Sequence, residues 1–367
     1  MRIRLGALSV LLIAAATVVA APLLGLALAG LPASGYLAFP PRAGYAPHAS
    51  FEWRWFVALG LPVAGAAALY RTALARARPG PAMHHRPRFP RWAWLGAGLI
   101  AAGWFLAWHD GPLPPEWRRH AFTPLWLGYV LAINGLAHRR SGWSLLTHRS
   151  RLLAALFPAS AAFWWLFEYL NQFTRNWHYA SIQETGDWDY FLQATLPFST
   201  VLPAVASTWA WLGQYPRLDA MTLPALGGHD KAAMVALPVG MSALAGVAIW
   251  PEALFPMLWI APLLVLWALQ ELLLGETVLT PLKHGDWRPL LLPALGALIC
   301  GMFWELWNFG SLAKWQYSIP YVQRFLVFEM PLLGYAGYLP FGVECALVVD
   351  LVARCVERRA ALPLAPR

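Results

Sequence analysis

Long apolar runs alternate along the chain with short polar or basic links, and the spacing of that alternation is its first message. Ten predominantly apolar windows lie near residues 5–31, 52–70, 92–109, 121–138, 152–173, 190–213, 232–250, 253–270, 289–309 and 331–353. A helix needs about 20 such residues to cross the hydrocarbon of a bilayer. Several windows contain Gly or Pro, which membrane helices tolerate better than soluble ones. The pattern predicts an all-α integral membrane protein with about ten transmembrane helices. The first window follows the basic start "MRIR" and contains "VVAAP", which resembles a small-residue cleavage site. Its apolar stretch, Leu5 to Leu31, is far longer than the 7–15 residues of a signal-peptide core, so it is expected to stay as the first span.

Composition agrees. Of 367 residues, 59% are hydrophobic and 12% charged, with a mean hydropathy of +0.49. Soluble domains carry roughly 25% charged residues, so the deficit points to lipid as the solvent. The net charge of +9 is not a nucleic-acid footprint, because its placement follows topology. With an inside N-terminus and ten alternating spans, seven of the 27 Lys and Arg residues fall outside: Arg42, Arg54, Arg118, Arg119, Arg175, Lys314 and Arg324. The remaining 20 fall inside, which satisfies the positive-inside rule and puts both termini in the cytoplasm, as in a bacterial inner membrane. "RARPGPAMHHRPR" is then a solvated basic loop rather than a metal site on His84 and His85, since adjacent positions do not both face one ion. Cys300 and Cys345 fall inside spans and Cys355 follows one, so buried thiols are expected rather than a disulfide framework.

The chain also repeats itself. "FEYLNQFTRNWHY" (167–179) and "WELWNFGSLAKWQY" (304–317) both read aromatic–Glu–x–x–Asn, a short link, then Trp–x–Tyr. This pairs Glu168 with Glu305, Asn171 with Asn308, Trp177 with Trp315 and Tyr179 with Tyr317. "LPFST" (196–200) matches "LPFGV" (339–343), and "FTPLWLGY" (122–129) matches "FPMLWIAP" (255–262). With 22 tryptophans in the chain one Trp match means little, but four blocks in one order mean duplication. The expected organisation is an N-terminal two-helix segment with a basic cytoplasmic loop (1–91), a first four-helix repeat (92–213) and a second (232–355). Four spans per copy restore the starting orientation, so the 4+4 copies should be parallel. Both Glu–x–x–Asn turns then lie toward the outer leaflet.

A carboxyl inside a bilayer costs about 2.5–3.5 kcal/mol on insertion scales, so Glu168 and Glu305 are expected to be neutral acids able to donate a proton. Asn171 and Asn308, at i+3, share their helix face and could hold each carboxyl in one rotamer. Glu344, four residues past Pro340, has no counterpart in the first copy, where Val201 stands. One reading is a membrane enzyme whose acid protonates a lipid-soluble, electron-rich substrate while aromatic faces stabilise the cation. Glu305 would be the general acid, Asn308 its orienter and Glu344 the counter-charge or base. Trp304, Trp307, Trp315 and Tyr317 would line the site, with Trp177 and Tyr179 in the first copy. Such chemistry needs no metal and no cofactor, and the chain lacks a P-loop, Rossmann glycines and desaturase-type histidine clusters. The expected partners are membrane lipids and the lipid-soluble substrate, not nucleic acid, and no feature sets an oligomeric state.

Plainer readings stand beside this one. Trp–x–Tyr suits an interfacial belt, the Glu/Asn pairs could tie the copies together through each other's backbone, and Leu-Pro-Phe suits a helix start. Glu329 could cap the following span, and His109 and His178 read as exposed loop histidines. Duplicated halves with paired acids are also how secondary transporters are built, although here the acids lie off the midplane; a non-catalytic membrane assembly protein is a further alternative.

The segments "FPPRAGYAPHASFEW" (39–53), "FWWLFEYLNQFTRNWHY" and "FWELWNFGSLAKWQYSIPYV…FEMPLLGYAGYLPFGVE" resemble a bacterial family of polytopic membrane proteins, a likeness that implies no activity. The order Glu–x–x–(small or polar), aromatic–x–Tyr, then Pro entering the next helix is similar to the membrane carotenoid enzymes, namely lycopene-cyclase domains and bacterioruberin-type hydratases. That resemblance implies a duplicated helical protein using proton chemistry on an isoprenoid or polyene, as a cyclase, isomerase or hydratase without redox turnover. It carries over to Glu168, Glu305 and Glu344. The Pro–x–Glu–Glu signature of lycopene cyclases is absent; "LPFGVE" has one displaced glutamate.

Overall fold

The computed structural model describes residues 6–78, 80, 87–109, 111, 113–180, 186–361 and 364. His84 and His85 lie outside the described residues. Eleven helices of twelve residues or more account for nearly all of the described architecture: α1 Ala7–Leu28, α2 Trp53–Arg76, α3 Arg91–Trp108, α4 Phe122–Ser141, α5 Ser150–Thr174, α6 Asp187–Phe198, α7 Val201–Leu212, α8 His229–Ile249, α9 Met257–Leu274, α10 Arg288–Phe309 and α11 Tyr338–Val356. Six of them (α1, α2, α5, α8, α9 and α10) are long and apolar enough to cross a membrane. α11 is comparably long but carries Glu344, Asp350 and Arg354. Apolar side chains such as Leu12, Leu24, Val57, Leu61, Val235 and Val239 are exposed along these helices. A contiguous apolar exterior of this kind is stable only against hydrocarbon. The chain is a multi-pass, all-α membrane protein.

Three windows depart from single helices; in 253–270 a four-residue helix, Pro251–Leu254, ends before α9 begins at Met257. Window 190–213 divides into α6 and α7 at Ser199–Thr200. The freed backbone groups there find side-chain partners: Ser199 and Thr200 hydroxyls donate to the Leu196 and Pro197 carbonyls, both at 2.6 Å. Ser160 of α5 donates to the Phe198 carbonyl (2.6 Å) and accepts from the Leu202 N–H (3.0 Å). A helix break inside a bundle survives only when such partners exist. The last window starts late as an α-helix, because residues Leu332–Gly337 form a 3₁₀ segment before α11.

Small residues set the closest approaches. Gly96 of α3 and Gly128 of α4 face each other, and a Cβ on either would come within 2.8 Å of the other's carbonyl oxygen. α8 packs on α9 as α3 packs on α4, and α11 on α9 as α7 on α4. Beyond α5 and α10 the chain forms two short strands, β1 Trp177–Tyr179 and β2 Trp315–Tyr317, paired antiparallel. The register sets Trp177 opposite Tyr317, His178 opposite Gln316 and Tyr179 opposite Trp315. This ribbon marks one end of the bundle. The opposite end gathers the charge pairs Arg149–Glu357, Arg354–Asp350, Lys283–Glu271 and Arg288–Asp219.

Candidate functional site

Each Glu–x–x–Asn turn closes its helix in the same way. Asn171 donates to the Trp177 carbonyl (2.8 Å) and accepts from the Trp177 N–H (3.3 Å). Asn308 does the same with Trp315, at 2.8 and 2.9 Å. The asparagines therefore do not hold the carboxyls, as their helical spacing suggested. Each amide has one donor and one acceptor group, the complement of a strand's backbone, and it fixes β1 or β2 to the helix that precedes it.

The carboxyls are held by aromatic donors instead. Glu168, 1% exposed, accepts at Oε1 from Trp164 Nε1 (3.0 Å), Trp177 Nε1 (3.1 Å) and the Tyr179 hydroxyl (2.7 Å). Glu305, fully buried, accepts at Oε1 from the hydroxyls of Tyr317 and Tyr338, both at 2.8 Å. Trp315 Nε1 donates to the Tyr317 oxygen (2.8 Å), so the second cluster is a relay where the first is a direct contact. Every one of these donors lies in the same half of the chain as its acid. The carboxyls do not tie the halves together; the β1–β2 ribbon does.

The third donor differs for a visible reason. Aligning the two glutamates sets Trp164 against Gly301, and aligning the Leu-Pro-Phe blocks sets Thr195 against Tyr338. A Cβ on Gly301 would stand 2.4 Å from the Tyr338 ring. The first cluster takes its donor from the turn before the acid, and the second leaves that place empty and takes it from the next helix.

The two clusters flank one shared cavity. Trp177, Tyr179, Trp304, Trp315 and Tyr317 line it, together with Trp164, Tyr190, Trp259 and Tyr338. Arg119 and Gln193 add polar atoms to an otherwise aromatic wall. The acids themselves do not reach the wall; their phenol partners do. Trp307 is not part of the lining, because it faces the other side of α10 and packs on Trp104, Trp126, Tyr129 and Phe303. Glu344 stands apart too. It lies six residues beyond Tyr338, about 9 Å along α11, and is 3% exposed, with no partner at Oε2 among the described residues.

Of the lining that the motifs left out, Trp164 sits one helical turn before Glu168, and Tyr338 sits next to the Leu-Pro-Phe block; both offsets were readable. Trp259 belongs to the block that matches Trp126, and the two rings occupy corresponding places: Trp126 lies 4.9 Å from Trp304, Trp259 lies 5.1 Å from Phe167.

Residues 39–52 cross the ribbon end as a strap. Arg42 stacks 4.5 Å over Tyr190 and pairs with Asp187 at 3.0 Å. His48 Nδ1 lies 3.0 Å from Glu252, and the Ser318 hydroxyl donates to the Ala46 carbonyl. His178 is buried in β1 beneath the strap, edge-on to Tyr45 at 5.5 Å, not an exposed loop residue; burial disfavours its cation and lowers its pKa. His109 is exposed and stacks on Phe105. Glu329 pairs with Lys314 at 2.5 Å rather than capping the following segment. Cys300 and Cys345 are buried free thiols, and Cys355 is exposed.

Fold and site together define a multi-pass α-helical membrane protein with an aromatic cavity between two buried acid clusters at one end of its bundle. Comparison with protein-family models, with curated proteins and with solved structures returns no match.

Proposed function

We propose that this chain is a membrane-embedded enzyme that performs proton chemistry, without redox turnover, on a lipid-soluble isoprenoid or polyene, as a cyclase, isomerase or hydratase. One observation carries the reading: two buried carboxyls each bond phenols that line a shared, tryptophan-walled cavity. A phenol both donates and accepts. With Glu305 protonated, the 2.8 Å contact can run from Oε1–H to the Tyr338 oxygen while the Tyr338 O–H points at a substrate double bond. Proton transfer to carbon then leaves a carbocation on the substrate and a carboxylate at Glu305, with the phenol restored. Tryptophan faces such as Trp304 and Trp259 stabilise the cation. With Glu168 ionised, loss of a proton from the adjacent carbon to Tyr179, as the phenol proton passes to Glu168, gives the isomerised or cyclised product; addition of water, whose extra proton leaves by the same route, gives the hydrated one.

The reading includes a ten-span arrangement: two N-terminal helices (1–91) and a parallel 4+4 duplication (92–213 and 232–355). The ribbon register supports it, because a two-fold axis through His178 and Gln316 sets each Trp opposite the other strand's Tyr. The matched Trp126–Trp304 and Trp259–Phe167 contacts support it as well. The basic residues at the far end of the bundle favour a cytoplasmic location there, with the cavity toward the outer leaflet of a bacterial inner membrane.

The test compares lipid extracts of cells lacking the protein with cells carrying wild type, Glu305→Gln or Tyr338→Phe, by mass spectrometry. The reading expects one isoprenoid species to depend on wild type and to be restored by neither variant. An unchanged lipid profile with altered solute uptake would support a carrier instead. A variant that changes only thermal stability would reduce the clusters to scaffolding.

A further inference from the structure

A second space lies away from the ribbon cavity. α2 is held at its ends, by Trp55 stacked on Tyr321 at 4.9 Å and by Tyr70, whose hydroxyl donates to the Leu291 carbonyl. Between those anchors no residue of α2 is buried; Ala73, just past Tyr70, is the helix's one buried residue. The helix stands off from α8, α9, α10 and α11 and leaves an open groove beneath it. Leu69, Leu264, Leu290, Ala294 and Val343 line its length, an apolar wall at the depth of the spans. Hydrocarbon is the filling such a wall accepts.

One end of the groove is different. His229 opens α8 and is 7% exposed; Trp267 and Glu271 lie one turn apart on α9, with Glu271 3% exposed. His229 and Trp267 line the groove, edge-on at 6.0 Å. His229 Nδ1, Trp267 Nε1 and Glu271 Oε2 are all buried without a hydrogen-bond partner among the described residues. His229 Nδ1 and Glu271 Oε2 stand 3.9 Å apart, too far to bond each other. His229 and Trp267 bring orphaned donors to the groove wall and Glu271 stands just behind His229; such groups call for a bound partner, since each loses its water on burial.

Their chemistry selects that partner. Two of the atoms are N–H donors, with His229 in its Nδ1–H tautomer, and the third is an acceptor. Lys283 already neutralises Glu271 through the other oxygen at 2.6 Å. A phosphate or carboxylate head would meet Glu271 as a like charge, and an ammonium head would meet Lys283. A hydroxyl accepts from Trp267 and His229 and donates to Glu271, with no charge to bury. We propose that the groove beneath α2 binds a long-chain alcohol, its hydroxyl among His229, Trp267 and Glu271 and its chain along Leu264 and Val343. The site is independent of the reaction assigned to the ribbon cavity.

The test uses the full chain in phosphatidylcholine nanodiscs with three radiolabelled probes: oleyl alcohol, oleate and 1-octadecene. Oleyl alcohol should bind saturably and about tenfold more tightly than either of the others. Trp267→Phe keeps the ring and removes the N–H, and should weaken the alcohol several-fold while leaving octadecene unchanged. Leu264→Trp should block all three probes, and Glu305→Gln should change none. Equal binding of the three probes, an unaffected Trp267→Phe variant, or loss of binding in Glu305→Gln would overturn the proposal.

Discussion

At position 301 a glycine stands where the first cluster has Trp164, and the space it leaves is filled by the Tyr338 ring. Gly301→Ala would place a Cβ 2.4 Å from the Tyr338 ring, so the ring must shift from its place against α10. Overpacking of this kind typically costs about 1–3 kcal/mol. The expected result is lower thermal stability together with the lipid phenotype of Tyr338→Phe, because both remove the phenol from Glu305. Trp307 gives the opposite expectation. Trp307→Phe should cost about 1–3 kcal/mol in unfolding assays through lost packing on Trp126 and Tyr129 and leave the lipid profile unchanged, since the residue faces away from the cavity. Asn308→Asp keeps size but places an acceptor opposite the Trp315 carbonyl, so β2 should loosen and become more susceptible to proteolysis. The glutamates were legible in the sequence because acids are rare in apolar runs. The asparagines' true partners were not, since i+3 spacing describes a helix face and says nothing of the chain folding back beyond the helix end.

At the scale of elements, apolar periodicity located ten stretches of helix and missed the breaks at 199–200 and 255–256. Window 190–213 reads as continuous because the group that rescues its interruption, Ser160, lies 38 residues earlier on another helix. The Leu-Pro-Phe block at 196–198 does mark that break, and the one at 339–341 lies at the start of α11. The ribbon was invisible for a similar reason: each strand is three residues long, and its pairing spans well over a hundred residues of chain. Its register has a direct check. Cysteines at 178 and 316, on a background without the native thiols, should form a disulfide on mild oxidation, whereas a pair at 177 and 315 should not.

The same scale includes a latch at the far end. Arg149 donates to Glu357 at 2.6 Å and to the Ala361 carbonyl at 2.5 Å, joining α5 to the segment after α11. Partial burial would raise the Glu357 pKa, but hydrogen bonds from Arg149 and Arg359 outweigh it and hold the carboxyl below its ordinary value. A depressed carboxylate contributes stability above its unfolded pKa of about 4.3 and loses it as pH falls through the folded value. Thermal stability in detergent should therefore fall as the pH drops from about 5 to about 3, and Arg149→Met should flatten that part of the profile.

For the whole molecule, composition, charge placement and the internal repeat pointed to a polytopic bundle with its two motifs on one side. The structure adds that they meet at a shared cavity, with the acids one layer behind the wall and phenols in front. That layering makes Tyr338 as informative as Glu305, and it sets the decisive experiment. Cells grown in D₂O with wild type or Glu305→Gln can be compared by mass spectrometry of their isoprenoid lipids. Proton transfer to a double bond predicts one species with an additional deuterium at a single carbon in wild type and its absence in the variant. Identical deuterium content in every isoprenoid species of the two strains would contradict the account.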